Sequence, residues 1–244
     1  MQEKKVALIT GANKGIGFET ARQLGQQGIT VLVGARDEKR GNEAATTLQA
    51  EGVDAHFLHV DMSDAATFTK AAKFIADKFG KLDILINNAG VLLDYTVPAS
   101  AIPVDNWRKT FETNVFALVE LTQTLLPLVK KSDAGRIVNL SSILGSLTLN
   151  RDPNSWIAAS AATNTSYDAS KAALNMFTIH LANELKDTSI KVNSAHPGWV
   201  KTDMGGEAAP LEIEDGAKTS VALATLGEDG PTGAYIHLGE SLPW

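Results

Sequence analysis

Tyr167 and Lys171 are the two residues whose types and spacing best suit proton transfer. They lie four positions apart, so on a helix both side chains occupy one face, a single turn from each other. A phenol has a pKa of about 10 and is a poor acid at neutral pH. A neighbouring ammonium favours the ionised phenol, and we therefore expect Lys171 to lower the pKa of Tyr167. Because Tyr-x-x-x-Lys also occurs by chance, the pair needs support from the rest of the chain.

The composition of the chain argues against several classes of protein. Hydrophobic residues make up 44% of the 244 residues, enough for a substantial core, and the net charge of −6 gives no reason to expect nucleic acid or a membrane as a partner. There is no cysteine for disulfides or thiolate metal sites, and the five histidines show no ligand spacing, so no catalytic metal is expected. No apolar run approaches the ~18 residues of a membrane span, and we expect a cytoplasmic protein.

Short runs rich in β-branched residues alternate with longer amphipathic stretches along the whole chain. The short runs predict strands at residues 6–10, 30–35, 55–60, 82–87, 135–141, 190–195 and 234–238. The longer stretches predict helices at residues 15–28, 39–51, 64–79, 104–130, 167–186 and 213–226. The alternation predicts an α/β fold, a single domain over residues 1–244 in which a doubly wound parallel sheet of about seven strands carries helices on both faces. Two irregular connections, residues 143–166 and 202–213, are longer than usual and are predicted to be functional loops.

A glycine-rich segment, Thr10-Gly-Ala-Asn-Lys-Gly-Ile-Gly17, follows the first predicted strand and opens the first predicted helix. Glycines allow a tight turn and a close approach of the backbone to a pyrophosphate, and the helix N-terminus offers free N–H donors. The spacing Gly-x-x-x-Gly-x-Gly differs from the common dinucleotide fingerprint and from a Walker loop. Although a simple turn is the alternative, the strand before it and the helix after it favour dinucleotide binding.

The end of the second predicted strand distinguishes between the two nicotinamide dinucleotides. An acid at this point usually holds the 2′-hydroxyl of NAD(H), and an arginine accommodates the 2′-phosphate of NADP(H). The strand ends in Arg36, and Lys14 of the glycine-rich segment is a second cation, so the pattern favours NADP(H) over NAD(H). Asp37, an acid at the same point, argues for NAD(H) instead, but we interpret it as the N-cap of the next helix.

Further motifs stand in order along this strand–helix pattern. They are Asn87-Asn-Ala-Gly90, Asn114 within Thr-Asn-Val-Phe, Ser141-Ser142, Tyr167-x-x-x-Lys171, and Pro197-Gly198 followed by Thr202. Together with the glycine-rich segment, they resemble the short-chain dehydrogenase/reductase family over essentially the whole chain. The resemblance implies a Rossmann fold and an NADP(H)-dependent carbonyl reductase or alcohol dehydrogenase.

The resemblance also implies the roles of individual residues. Tyr167 would be the general acid or base, Lys171 would lower its pKa and bind the nicotinamide ribose, Ser142 would donate to the substrate oxygen, and Asn114 would hold a water that links Lys171 to solvent. Residues implied to bind the cofactor are Gly11, Asn13, Lys14, Gly15, Ile16, Gly17, Arg36, Asp61, Met62, Asn87, Asn88, Ala89, Gly90, Tyr167, Lys171, Pro197, Gly198, Val200 and Thr202.

Each of these residues also has a purely structural interpretation. Asn114 could cap or kink its helix, Ser141 and Ser142 could end a strand, Asp61 could cap the following helix, and the Asn87 motif could form a polar turn. His196, next to Pro197, is more typical of a structural histidine than of a catalytic one. It is the occurrence of all the motifs in one order that favours the enzymatic interpretation.

Two departures from the family pattern concern assembly. The connection between Ser142 and Tyr167 is longer than usual, and longer insertions here are typical of the family's monomeric carbonyl reductases, where they cover a helix face used for subunit contact. The C-terminal segment lacks the family's usual Asp-Gly-Gly ending, which puts the tetramer contacts of that segment in doubt. We therefore expect a monomer or homodimer, with a homotetramer as the remaining alternative.

The candidate substrate residues are mostly apolar and lie where loops follow strands. They are Leu92, Leu93, Leu144, Trp156, Trp199 and Met204. No basic side chain among them suits a substrate carboxylate or phosphate, so a hydrophobic ketone, aldehyde or secondary alcohol is the expected small-molecule partner. Reduction of a carbon–carbon double bond is an alternative, against which the Tyr–Lys spacing argues. A non-catalytic NADP(H)-binding redox sensor is another, but such a protein would be expected to lose Tyr167 or Lys171.

Overall fold

The computed structural model describes residues 4–95, 97–160 and 164–244, and an eight-stranded sheet lies at its centre. In chain order the strands are β1 Val6–Thr10, β2 Thr30–Ala35, β3 Ala55–His59, β4 Ile84–Asn87, β5 Arg136–Leu140, β6 Lys191–Ala195, β7 Tyr235–His237 and β8 Glu240–Ser241. They are arranged in the order β3-β2-β1-β4-β5-β6-β7-β8, and the pairs from β3 to β7 are all parallel. The predicted doubly wound α/β fold is therefore confirmed.

Helices cover both faces of this sheet. In chain order they are α1 Gly15–Gln26, α2 Glu38–Ala50, α3 Ala66–Phe79, α4 Val104–Phe111, α5 Ala117–Val129, α6 Leu147–Arg151, α7 Trp156–Ser160, α8 Thr165–Glu184 and α9 Ile213–Ala224. Successive residues of β1 point to opposite faces: Ala7 and Ile9 join the core under α1, α2 and α9, whereas Val6 and Leu8 join the core under α3, α5 and α8. Burial on both faces explains why the strand sequences are apolar without alternation. Within the described part of the chain, none of the helices combines the length and the apolar character needed to cross a membrane.

The prediction of one uninterrupted helix over residues 104–130 is wrong. A π-helical turn, Glu112–Phe116, separates α4 from α5. Asn114 lies in this turn, and both polar atoms of its side chain bond the backbone of Val91 in the loop after β4. A π turn shifts the register of the helix, and the spacing of apolar residues in the sequence does not reveal such a shift.

The prediction of an irregular loop over residues 143–166 is also wrong for its described part. A 3₁₀ turn at Ile143–Gly145, then α6 and α7, occupy much of it, and α8 begins two residues before Tyr167. Residues 161–163 lie outside the described residues. Serine residues in this stretch cap helical turns. The Ser146 hydroxyl accepts a hydrogen bond from the Leu149 N–H and thereby starts α6. Residues 202–212, by contrast, consist mainly of turns, with a single bridge between Val200 and Leu211.

The edge strand β8 is absent from the sequence-based prediction, which expected about seven strands. It pairs antiparallel with β7 through a turn at Leu238 and Gly239, whose φ angles are 46° and 89°. A tight hairpin turn is usually signalled by a pair such as Asn-Gly, whose residues tolerate a positive φ. Leucine rarely adopts a positive φ, and its presence at this turn therefore gives no hairpin signal in the sequence.

Candidate active site

Tyr167 and Lys171 both face the protein interior from the first turns of α8. Tyr167 is 8% exposed and Lys171 is 4% exposed. The Lys171 Nζ lies 5.5 Å from the centroid of the Tyr167 ring, as expected for residues one turn apart. The Ser142 side chain, two residues after β5, lies beside the Tyr167 phenol and acts to lower its pKa. One helix and one strand end therefore bring three of the four predicted catalytic side chains together.

The expectation that Lys171 lowers the pKa of Tyr167 is wrong for this structure. Burial raises the pKa of Tyr167 to about 12, since the phenolate would lose its hydration, and this exceeds the lowering effect of the Ser142 hydrogen bond. The charge of the adjacent Asp168 raises the pKa further. Tyr167 is thus held in its protonated form, the form that donates a proton.

Lys171 is itself perturbed by its surroundings. Burial lowers its pKa to about 8, and its ammonium donates to the Leu140 carbonyl oxygen at 2.8 Å. A lysine titrating this close to neutrality can exchange protons at physiological pH. It also carries less positive charge toward the phenol than a fully ionised ammonium would.

Asn114 connects the catalytic helix to the loop after β4. Its Nδ2 donates to the Val91 carbonyl oxygen at 2.9 Å and to the Ser170 hydroxyl at 3.0 Å, and its Oδ1 accepts from the Val91 N–H at 2.8 Å. A Cβ placed on Gly90 would lie 3.3 Å from the Asn114 Oδ1 and 3.6 Å from the Lys171 Nζ. The two polar atoms therefore flank Gly90.

His196 supports the segment that follows Ser142. Its Nδ1 accepts a hydrogen bond from the Ile143 N–H, and its ring lies 4.8 Å from that of His237. Burial, together with the nearby His237 ring, lowers the pKa of His196 to about 3. The ring stays neutral at physiological pH and serves as a hydrogen-bond acceptor, in keeping with the structural interpretation.

The glycine-rich segment forms a cradle at the start of α1. Gly11 and Gly15 adopt φ angles of 63° and 58°, and a Cβ on Gly17 would lie 2.7 Å from the Gly11 carbonyl oxygen. No described side chain caps the N-terminus of α1, and its first turn holds no acid. Free N–H groups, a positive helix end and an unobstructed backbone fit the pyrophosphate of a dinucleotide.

Thr10 ties this cradle to the Asn-Asn-Ala-Gly turn, a role that the sequence analysis did not assign. Its hydroxyl accepts from the N–H groups of Asn88 and Ala89 at 3.0 and 2.9 Å, and the Asn88 amide donates to the Thr10 carbonyl oxygen at 2.7 Å. The cofactor candidates on β1 and after β4 therefore lie side by side.

Two cationic side chains and the acid Glu43 line a cleft beside the cradle, and the Lys14 ammonium also pairs with Asp203. Lys14 and Arg40 line a cleft of about 380 Å³ between the glycine-rich segment and α2, together with Asn13. Arg36 is exposed at the end of β2, where its charge contributes to lowering the pKa of Asp61. Arg40 was not among the predicted cations, and its position in the first turn of α2, directly after the strand end, is the sequence signal for it.

Two acids considered in the sequence analysis have local partners. The Asp37 carboxylate accepts from the Arg40 N–H at 2.9 Å, which confirms its interpretation as the N-cap of α2. Partial burial opposes ionisation of Asp61, but hydrogen bonds from the N–H and hydroxyl of Ser63 outweigh it and lower its pKa. Asp61 therefore stays ionised just beyond β3, at the carboxyl edge of the sheet.

Some predicted cofactor residues face the core instead of the cleft. Asn87 is 1% exposed and donates to Thr122 and Asn139, so the expectation that it lines the cofactor is wrong. Val200 packs on Gly216 of α9, and the Ile16 and Met62 side chains pack against the two apolar cores. These three positions can offer backbone groups to a ligand. Thr202 does face the glycine-rich segment: a Cβ on Gly15 would lie 3.7 Å from its Cγ2.

The candidate substrate residues differ in exposure. Leu93, Trp156, Trp199 and Met204 are exposed, whereas Leu92 and Leu144 are half-buried. The Trp199 Nε1 donates to the Gly205 carbonyl oxygen at 2.8 Å, which holds the indole against the segment that carries Met204. Exposed aromatic and aliphatic side chains on loops suit contact with an apolar ligand.

A buried acid pair beside Tyr167 was not predicted. Asp94 is fully buried and its Oδ2 accepts from the Ser166 N–H at 2.7 Å, while neither carboxylate oxygen of Asp168 has a hydrogen-bond partner among the described residues. Burial and, second, the charge of Asp94 raise the pKa of Asp168 to about 8. An acid immediately after Tyr167 in the sequence was the available signal.

Sequence comparison places the chain among known oxidoreductases. The profile described as short chain dehydrogenase matches residues 5–212. Short-chain dehydrogenase/reductase 1 of Saponaria officinalis is 34% identical, over 100% of this chain and 97% of the relative. Carbonyl reductase [NADPH] 1 of Rattus norvegicus is 32% identical, over 99% of each.

Solved structures agree with the sequence matches. NADPH-bound carbonyl reductase from chicken fatty liver superposes with a TM-score of 0.85 at 29% identity, covering 99% of this chain and 100% of that chain. Salutaridine reductase from Papaver somniferum gives a TM-score of 0.82 at 29% identity, covering 95% and 99% respectively.

Proposed function

Because the chain belongs to the short-chain dehydrogenase family, we propose that it is an NADP(H)-dependent oxidoreductase that interconverts a hydrophobic ketone or aldehyde and the corresponding alcohol. The observation that carries this proposal is the convergence of Ser142, Tyr167 and Lys171 on one buried point, with Asn114 bonded to the same helix. These four residues act as the catalytic set.

The cofactor-binding residues hold NADP(H) along the carboxyl edge of the sheet. The N–H groups at the start of α1 bind the pyrophosphate, and Lys14, Arg36 and Arg40 neutralise the 2′-phosphate. The NADPH named in the carbonyl reductase matches supports this choice over NAD(H). Asp61 would contact the adenine, and Thr202 and the Asn88–Gly90 turn would hold the nicotinamide end.

Proton transfer runs through α8. The bound nicotinamide supplies the hydride. As negative charge grows on the carbonyl oxygen, the Ser142 hydroxyl donates a hydrogen bond to it and the Tyr167 phenol protonates it. The raised pKa of Tyr167 keeps the phenol protonated before the reaction, which suits reduction. Lys171, whose lowered pKa lies near neutrality, returns a proton to Tyr167. Asn114 bonds the neighbouring Ser170 of the same helix.

The substrate lies over Tyr167, bounded by the apolar side chains of Leu93, Leu144, Trp199 and Met204. Because none of these residues is charged, an anionic substrate finds no counter-ion among them. A substrate with an apolar body beside its carbonyl group gains most from this environment, since its burial removes apolar surface from water.

Purified protein incubated with NADPH and a panel of ketones and aldehydes tests the proposal. We expect cofactor oxidation that depends on the carbonyl compound and is faster with apolar ketones than with keto acids. Tight NADPH binding without turnover of any carbonyl compound would refute the enzymatic proposal, and the non-catalytic binding protein would then be favoured.

A further inference from the structure

Trp244 connects the end of the sheet to the segment that follows Ser142. Its indole ring stacks on Tyr235 of β7, with ring centroids 5.3 Å apart and an interplanar angle of 22°. Its main-chain oxygen accepts hydrogen bonds from the Thr148 N–H at 3.0 Å and from the Ser146 hydroxyl at 3.2 Å. A single residue therefore links β7 to the first turn of α6.

Tyr235 gives this link a rigid base. It is 2% exposed, and the strand that carries it pairs with β6. Its hydroxyl lies beside Ser141 and Asn175, which are hydrogen-bonded to each other at 2.7 Å. A large ring held in this way is a fixed platform for a stacked indole.

Residues 144–151 form one bonded unit on the other side of the link, and we call it the wall segment. The Asn150 amide donates to the carbonyl oxygens of Leu144 and Ser146, and the buried Ser146 caps α6. The wall segment begins two residues after Ser142 and leads through α6 toward α7, which carries Trp156. A shift of this unit would therefore displace Leu144, a candidate substrate residue, together with the chain that leads to Trp156.

We propose that Trp244 is a positioning residue for substrate binding, because it straps the wall segment to Tyr235. The inference rests on the proposed function, in which the wall segment borders the substrate. A wall that is already ordered lowers the entropy cost of binding. The benefit grows with substrate size, since a larger ketone places more of its surface against the wall segment.

The first test is a Trp244→Ala variant assayed with a two-ring aromatic ketone and with a three-carbon ketone. We expect the KM for the large ketone to rise about tenfold, and the KM values for the small ketone and for NADPH to change less than twofold. Trp244→Phe keeps a stacking ring and should restore the large-ketone KM to within about threefold of the parent value. Glu240→Ala, an exposed change in the same hairpin, is the matched control and should leave all three constants unchanged.

A second measurement does not depend on turnover. The Thr148 amide donates to Trp244, so its hydrogen exchange should be slow in the parent and at least about tenfold faster in Trp244→Ala. If the parent protein reduces no carbonyl compound but Thr148 exchanges faster in Trp244→Ala, the link through Trp244 is supported and the proposed function is refuted. An unchanged large-to-small KM ratio, or unchanged Thr148 exchange, would overturn the positioning role.

Thr148→Pro covers the case in which Trp244→Ala does not fold. Proline is tolerated in the first turn of a helix, and at this position it removes the N–H that donates to the Trp244 main-chain oxygen. We expect the large-ketone KM to rise several-fold while the NADPH KM stays constant. A parent-like KM in a folded Thr148→Pro variant would contradict the proposal.

Discussion

Gly145 lies directly against the backbone of Lys171. A Cβ placed on Gly145 would be 2.8 Å from the Lys171 carbonyl carbon and 2.9 Å from the Ala172 nitrogen, distances that real Cβ atoms do not reach. The 3₁₀ turn after Ser142 therefore rests on α8 with no side chain between them. This close approach fixes the position of the Ser142 hydroxyl relative to Tyr167 and Lys171.

Gly145→Ala should separate the turn from α8 and misplace Ser142. We expect turnover to fall at least about tenfold, because small displacements of catalytic groups are costly, while the NADPH dissociation constant stays within about twofold. Steady-state kinetics and a fluorescence titration with NADPH measure the two quantities. Gly227→Ala, at a glycine whose Cβ would meet nothing within 4 Å, is the matched control. Full turnover in Gly145→Ala would show that this approach does not position Ser142.

Charge reversal beside the glycine-rich segment should alter the choice of cofactor. Arg36→Asp and Arg40→Asp each place a carboxylate near the expected 2′-phosphate, so the ratio of kcat/KM with NADPH to that with NADH should fall about tenfold or more. Lys39→Asp reverses an exposed charge on the same helix outside the cleft and controls for net charge. If the ratio of kcat/KM values stays constant in both arginine variants, Arg36 and Arg40 do not bind the 2′-phosphate.

The pH dependence of reduction should report Lys171 and not Tyr167. The pKa of Tyr167 is raised to about 12, so the phenol remains protonated throughout the usual assay range. Lys171 has its pKa lowered to about 8, and above that pH it loses the proton that it returns to Tyr167. We expect kcat/KM for reduction to be flat below about pH 7 and to decline above about pH 8.

Two variants assign that decline, because Asp168 also has a pKa near 8. Lys171→Met should give a lower rate with no step near pH 8, and Asp168→Asn should keep the step. A step that survives in Lys171→Met and disappears in Asp168→Asn would contradict the assignment.

Asp168 should make the stability of the protein depend on pH. Its folded-state pKa is raised above the value of an unfolded aspartate, so the folded state binds more protons between about pH 4 and pH 8. Stability linked to this group is therefore fully present below about pH 4 and is lost as the pH rises through 8. Asp168→Asn should raise the free energy of unfolding by about 2 kcal/mol at pH 9 and by little at pH 4.

Urea unfolding at both pH values measures this difference. The exposed Asp105 provides the control, since Asp105→Asn should change the free energy of unfolding by no more than about 0.5 kcal/mol at either pH. A destabilised Asp168→Asn at pH 9 would show that the ionised carboxylate has a favourable partner.

The fold was predictable because apolar runs such as Leu-Asp-Ile-Leu-Ile-Asn, and a glycine-rich segment between a strand and a helix, are local patterns in the sequence. The π turn at Asn114 and the cap at Ser146 were not, since each depends on a partner far away in the sequence or on which side-chain hydrogen bond forms. The same limit applies to the pKa of Tyr167. Proximity to Lys171 can be read from spacing, but the desolvation that outweighs it depends on the packing of the whole site.

The most direct test of the account is turnover by Tyr167→Phe, which removes one hydroxyl from the centre of the site. We predict that NADPH-dependent ketone reduction falls roughly a thousandfold, since proton donation to the carbonyl oxygen is lost, while NADPH binds within a few-fold of the parent affinity. A Tyr167→Phe variant that reduces the same ketone at the parent rate would contradict the assignment of Tyr167 as the proton donor.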